Sequence, residues 1–196
     1  MEVFFIRHGQ TFDNVRRVHQ GWTEASLSEV GEAQARALRD VISGIKFDRI
    51  FSSDLRRTRQ TAAILFGEDA PIEYDERLRE INNTVFKGKA RAELYPIYGD
   101  AYIDNCHHLN FAEYGGESSQ SILDRTADFM RGLAEDKTSA RVAVVTHGGT
   151  IRATVSGVLG MPLYSPRLDI DNCSVTKLEY TSHGWRLVHL NNKIEI

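Results

Sequence analysis

Three short apolar runs constrain this chain more than any other feature, because each one ends in a polar or charged tip. "VFFIRHGQ" (3–10) passes from four apolar residues straight into Arg7, His8 and Gly9. "FDRIFSSD" (47–54) ends in Ser52, Ser53 and Asp54, with Arg56 and Arg57 just beyond. "RVAVVTH" (141–147) ends in Thr146 and His147 and runs on into Gly148 and Gly149. Short apolar runs bounded by turn signals read as buried strands.

Helical patterns separate these runs. Ser28 or Ser26 is placed to cap a helix on which Val30, Ala33, Ala37, Leu38, Val41 and Ile42 recur at helical spacing. "RRTRQTAAILFG" (56–67) reads as a helix closed by Gly67. Ser118 opens another, with Ile122, Leu123, Thr126, Phe129, Met130 and Leu133 on one face, and 149–160 forms a helix with Gly160 past its end. Residues 71–80 suit a brief strand and a turn, and 81–117 are weakly patterned apart from a short helix near 90–98. "SVTKLEY" and "WRLVHLN" alternate as a hairpin-like pair would. The expected fold is α/β: a three-layer sandwich with a mostly parallel central sheet, an antiparallel edge and helices on both faces. The length of 196 residues fits one domain, 1–196, with a substrate-covering insert at about 81–117.

In open sheets of this type ligands bind beyond the carboxyl ends of the strands. Here those ends deliver Arg7, His8, the Arg56–Arg57 pair and His147 to one edge, and helix starts at 56 and 149 aim N–H groups the same way. Glycines at 9, 148 and 149 would let a ligand approach the backbone closely. The set fits a compact anion, most naturally a phosphoryl group.

The same segments resemble the histidine phosphatase superfamily in its phosphoglycerate-mutase-like branch. "FFIRHGQTFDN" is similar to that family's signature, and "QGWTEASLSEVGEAQA" (20–35) to its next block. "SSDLRRTRQTA" (52–62), "RLREIN" (77–82), "GGESSQSILDR" (115–125), "VVTHGGTIRA" (144–153) and "DNCSVTKLEY" (171–180) follow in the family's order. The resemblance implies that His8 is a nucleophile forming a phosphohistidine, that Arg7, Arg57 and His147 surround the phosphoryl oxygens, and that Glu80 is the acid/base. Asn14 is a further phosphate contact. Gly9, Gln10, Thr11 and Gly148 complete the expected substrate-binding set together with Lys87. The residue types suit the chemistry. Phosphoryl transfer leaves the protein mainly positioning and charge stabilisation to supply, and arginine forks match phosphoryl oxygens without losing their protons. His8 must be neutral, with its tautomer fixed by a backbone carbonyl, whereas His147 is expected to be protonated beside the phosphate. No metal and no cofactor are expected.

The family outline is broken in one place. After Glu80 the chain reads Ile81-Asn82-Asn83-Thr84-Val85-Phe86-Lys87-Gly88-Lys89, with Lys87 where a carboxylate is usual. A positive wall there would suit a substrate with a second anionic group. Residues 95–114 carry Tyr95, Tyr98, Tyr102, His107, His108 and Tyr114, a composition suited to a lid or substrate pocket and equally to ordinary packing.

Three functions follow: a phosphatase acting on a small phosphorylated metabolite, a phosphoglycerate mutase, and an inactive phosphate-binding regulatory module. The compact length and the intact set of five site residues favour the first. A net charge of −3 gives no basic footprint for nucleic acid or membrane. The cysteines, Cys106 and Cys173, make neither a disulfide framework nor a zinc site, and the opening lacks a basic n-region, so a cytoplasmic location is expected. A monomer or a homodimer fits equally well.

Overall fold

In the computed structural model, which describes residues 1–163 and 168–193, the three apolar runs form adjacent strands of one six-stranded sheet. Strand β1 is Glu2–Arg7; a short helix α1 (Phe12–Val15) and a longer α2 (Glu29–Ile42) follow. Strand β2 (Arg49–Ser52), helix α3 (Arg56–Phe66) and strand β3 (Ile72–Tyr74) come next. The chain then makes 3-10 turns at Glu76–Leu78 and Thr84–Phe86, helix α4 (Arg91–His108), a third 3-10 turn at Ala112–Tyr114 and helix α5 (Ser119–Glu135). Strand β4 (Arg141–Thr146), helix α6 (Gly148–Leu159) and strands β5 (Val175–Thr181) and β6 (Gly184–Asn192) complete it. The strand order is β3-β2-β4-β1-β5-β6. The first four are parallel, and β5 and β6 add an antiparallel edge, which is the expected sheet.

Alternation along the strands sorts the core into layers. Val3 and Phe5 of β1 and Val142 and Val144 of β4 face Phe129, Met130 and Leu133 of α5 and Ile151 and Val155 of α6. Ile6 and Val145 face the opposite way, onto Ala35, Leu38 and Ile42 of α2 and Ala62 and Leu65 of α3. Helices therefore cover both faces. The stripe expected on α2 is partly corrected: Leu38 and Ile42 are buried, but Val30 and Val41 are exposed, and Gly31 and Ala35 take the inner positions. The helix turns its small residues inward because Gly31 packs directly on the loop after β1. A Cβ on Gly31 would lie 1.9 Å from Gln10 O.

Helix α4 corrects a second expectation. The helix near 90–98 continues to His108 through a kink at Gly99 (φ 57, ψ −143), which lies three residues after Pro96. Proline and glycine are ordinary stop signals, but here they bend the helix instead of ending it. The bend lets Leu94 and Tyr102 reach a separate core with Ile81, Phe86, Leu109, Phe111 and Ile122. Phe86 is completely buried at its centre, with Tyr98, Tyr102, Phe111 and Tyr114 ringed around it at 4.8–5.7 Å between centroids. Three of the tyrosines singled out in the sequence are thus packing residues of this second core.

Candidate active site

Connections from β1 and β4 leave toward opposite faces, since α2 packs on one side and α6 on the other. Adjacent parallel strands diverging in this way create the crevice in which open α/β sheets hold ligands. Arg7 is in register with Thr146. One residue further, His8 N–H donates to Thr146 O at 3.0 Å, so the ladder continues a rung past the strands. That rung carries the two histidines, whose rings meet edge-on with centroids 5.2 Å apart. Strand β2 brings Ser53 to the same place: its N–H donates to Val145 O at 3.0 Å, and its Oγ lies 3.0 Å from His147 Nε2.

His8 is buried, and its Nδ1 lies 2.8 Å from Gly9 O. A carbonyl only accepts, so Nδ1 carries the proton and the Nε2 lone pair is free. Burial, and then the charges of Arg57 and Arg7, hold the His8 pKa well below the ordinary imidazole value. The ring is therefore neutral and in the tautomer a nucleophile needs. His8 O accepts from Asn172 Nδ2 at 2.9 Å, and Gly9 N–H donates to Thr61 Oγ1 at 3.1 Å, which fixes the loop behind the ring.

Arg57 is wholly buried, and each guanidinium nitrogen makes one hydrogen bond, which leaves two N–H donors, one on each terminal nitrogen. Nε donates to His147 Nδ1 at 3.2 Å, Nη1 to Thr23 O at 3.0 Å and Nη2 to Gly21 O at 2.8 Å. Desolvation pushes its pKa down to about 10, which keeps it charged at neutral pH. Arg7 donates through Nη1 to Ile170 O at 2.5 Å, while its buried Nε has no hydrogen-bond partner among the described residues. Burial lowers the Arg7 pKa, and the negative charges of Glu80 and Asp171 oppose that shift.

The neighbours of His147 hold it as a neutral ring when no anion shares the pocket. Arg57 Nε can only donate, so His147 Nδ1 accepts and Nε2–H donates to Ser53 Oγ. The ring is neutral. Burial, followed by the charge of Arg57, holds its pKa well below the ordinary value. A third cation beside two guanidiniums is disfavoured as long as no anion shares the pocket.

Glu80 lies across the crevice at the start of α6. Its Oε2 accepts Gly149 N–H at 3.2 Å and its Oε1 accepts Ile81 N–H at 2.9 Å. Trp22 Nε1 donates to the Glu80 carbonyl at 2.7 Å and Arg125 Nη2 does so at 3.2 Å. The helix-start N–H groups expected to greet an anion are thus partly taken by carboxylates: Gly149 by Glu80, and Arg56 by Glu24 Oε2 at 3.2 Å.

The glycines have other duties than those expected. A Cβ at Gly9 would lie 2.4 Å from Gly31 O, and one at Gly149 would lie 2.3 Å from Glu80 Oε1. Both make room for protein atoms, whereas a Cβ at Gly148 would meet Arg7 Nε at 3.4 Å, an ordinary contact. Asn14 Oδ1 accepts from Thr11 N–H and Thr11 Oγ1, each at 3.0 Å, which leaves the amide nitrogen as the half available to a ligand. Gln10 N–H is tied to Gln34 Oε1 at 2.9 Å. Lys87 is exposed, and no hydrogen bond or salt bridge among the described residues links it to the five residues above. Sequence reasoning missed Ser53 as a partner of His147, and Gly21, Thr23 and Asn172 as partners of Arg57 and His8. Three of these four act through backbone oxygens or on them, which side-chain patterns do not reveal. Among the described residues no group of three His, Cys, Asp or Glu side chains is placed to hold a metal ion.

A neutral imidazole flanked by two arginines and a carboxylate, at the switch point of an α/β sheet, defines a histidine-phosphatase type of enzyme. The chain belongs to the histidine phosphatase superfamily (branch 1), whose family model matches residues 3–193. A relative described as a probable phosphoglycerate mutase GpmB of Salmonella choleraesuis is 30% identical, over 94% of this chain and 87% of that protein. The structure of a mycobacterial glucosyl-3-phosphoglycerate phosphatase complexed with VO3 superimposes with a TM-score of 0.90 at 31% identity, covering 98% of this chain and 99% of that one. A phosphoserine phosphatase mutant from Entamoeba histolytica, solved with phosphoserine, gives 0.84 at 25% identity, covering 97% and 96%. The enzyme class is phosphomonoester hydrolase.

Proposed function

We propose that the chain hydrolyses a small-molecule phosphomonoester through a phosphohistidine on His8, without a metal ion. The observation that carries this is the His8 tautomer: Nδ1 is committed to Gly9 O, so Nε2 presents its lone pair between Arg7 and Arg57. In the first step Nε2 attacks phosphorus, the ester P–O bond breaks, and Glu80 gives a proton to the leaving alkoxide. In the second, Glu80 as carboxylate takes a proton from water, the resulting hydroxide attacks phosphorus, and the P–N bond breaks to restore His8. The two arginines supply the charge stabilisation. The phosphoryl dianion itself provides the negative charge that favours protonated His147, so His147 becomes a phosphate donor only with ligand present. Asn14 Nδ2 is a further donor to the phosphoryl group. Residues 81–117 cover the substrate, and Lys87 faces the part of it remote from phosphorus. The free cysteines fit a cytoplasmic enzyme.

The mutase reading has one observation in its favour, the name of the 30% identical relative. The phosphatase whose chain is 99% covered favours hydrolysis. An intact set of His8, Arg7, Arg57, Glu80 and His147 in one crevice speaks against an inactive module. The test is rapid-quench labelling with a phosphomonoester, with EDTA present. Wild type should form an acid-labile phosphoenzyme and release phosphate; His8→Ala should do neither. A His8→Ala variant with the wild-type rate would refute the assignment, and transfer to 3-phosphoglycerate from 2,3-bisphosphoglycerate faster than hydrolysis would establish the mutase.

A further inference from the structure

The break in the family outline at Asn82-Asn83-Thr84 has a structural partner that the catalytic reading leaves unused. Asn83 is buried, and its Nδ2 donates to His19 Nδ1 at 3.2 Å. His19 Nε2–H in turn donates to Tyr102 Oη at 2.5 Å. Histidine, asparagine and tyrosine are only 9%, 3% and 2% exposed, so this is an internal polar chain running from the loop after α1 into the second core. The backbone ties the same two regions: His19 N–H donates to Lys89 O at 3.0 Å, and Gly88 N–H donates to His19 O at 2.8 Å.

The chain does not stop at Asn83. Gly21, at φ 48, lies flat against it, so close that a Cβ there would sit 2.3 Å from Asn83 Oδ1. Gly21 O and Thr23 O are the two carbonyls that receive the Arg57 guanidinium, and the turn between them is closed by Thr23 N–H to Gln20 O at 3.0 Å. Asn83 is therefore the floor on which the turn holding Arg57 rests. Its Oδ1 has no hydrogen-bond partner among the described residues, and leaving such a group buried costs stability. An apolar residue would fill this part of the second core more favourably. What asparagine adds is the bond to His19, which fixes the orientation of the carboxamide under Gly21.

We propose that His19 is a positioning residue for Arg57. Its imidazole orients Asn83, Asn83 sets the height of the 20–23 turn, and the carbonyls of that turn aim the guanidinium at the phosphoryl oxygens. The inference rests on the phosphatase reading for what Arg57 does. It makes the seating of the second core and phosphate recognition one mechanical unit: a second core lifted from His19 leaves Arg57 misaligned.

The two arms of His19 can be separated by substitution. His19→Asn keeps an acceptor near the Nδ1 position and so keeps the Asn83 arm; His19→Gln keeps a donor near Nε2 and so keeps only the Tyr102 arm. Binding of inorganic phosphate by calorimetry and kcat and KM for a chromogenic phosphomonoester are measured for both. Displacements near 1 Å at such sites cost up to about 100-fold in rate, so His19→Gln should lose about 10- to 100-fold in kcat/KM, with phosphate Kd raised about tenfold. His19→Asn should stay within about threefold of wild type. Repeated in an Arg57→Lys background, His19→Gln should add less than about a twofold loss, because the group it positions has been replaced. Equal effects of Asn and Gln, or losses that multiply fully in the Arg57→Lys background, would reduce His19 to a structural residue and overturn the proposal. A wild type that neither binds phosphate nor hydrolyses esters would overturn the phosphatase reading and this inference with it. An active wild type with an unaffected His19→Gln variant would overturn the inference alone.

Discussion

Gly149→Ala offers a test in which activity and stability should move in opposite directions. The new methyl carbon would lie 2.3 Å from Glu80 Oε1, whereas real Cβ contacts are not found below 3.0 Å. The backbone at 149 lies in the first turn of α6 and has no positive φ, so alanine is acceptable there and contributes at most the roughly 0.5–1 kcal/mol over glycine that holds for a helix interior. The carboxylate is the movable partner, being the end of a flexible side chain. It must retreat by roughly 0.7 Å or more, which breaks the bond from Gly149 N–H at 3.2 Å and shifts the acid/base off line. Misplacement on this scale costs up to about 100-fold in the chemical step. The expected result is kcat reduced about 10- to 100-fold, phosphate affinity nearly unchanged because His8, Arg7 and Arg57 are untouched, and Tm equal to or above wild type. Steady-state kinetics on a chromogenic phosphomonoester, phosphate inhibition and a thermal melt read all three. Wild-type turnover would show that Glu80 has no positional role, and a large fall in Tm would show that the backbone yields in place of the side chain.

Two further outcomes follow from burial. Phe86→Ala empties the centre of the second core, and removing a fully buried phenylalanine costs about 3–5 kcal/mol, visible in urea unfolding; a loss below about 1 kcal/mol would mean that the five-ring cluster contributes little. His8, His19 and His147 all have folded pKa values below the ordinary 6.5, mainly through burial, and that of His19 is pushed down to about 4. The unfolded chain then binds protons that the folded chain refuses, so the stability these groups contribute is fully present above about pH 6.5 and falls as the pH drops toward their folded values. Thermal melts should show this decline between pH 6.5 and 4, with a shallower slope in His19→Asn; an identical slope would contradict a neutral buried His19.

The parts legible in the sequence were those with a physical period or a chemical tip. The runs 3–7 and 141–146 announced themselves as strands because they are buried on both faces, and "SVTKLEY" alternated because β5 is not. His8, His147 and the Arg56–Arg57 pair stand out because several strand ends point to one edge, whereas the choice of Arg57 and the role of Glu80 come only from the family resemblance. Helix α4 was not, since Pro96 and Gly99 carry the same signals whether a helix stops or bends. The duties of Gly9 and Gly149 were misread because a glycine records that space is needed and not what fills it. The neutral state of His147 without an anion beside it is not legible in the sequence for a different reason. It depends on Arg57 Nε pointing at Nδ1, a geometry that exists only once α3 and β4 have come together.

The rung joining His8 N–H to Thr146 O has a consequence for how such an enzyme can change over generations. The two imidazole centroids lie 5.2 Å apart, close to the spacing of neighbouring strands, about 4.8 Å, so the ladder sets their interval. The ladder is a fixed gauge for the two histidines: substitutions in the loops and helices around it leave that interval unaltered as long as the rung from His8 to Thr146 holds.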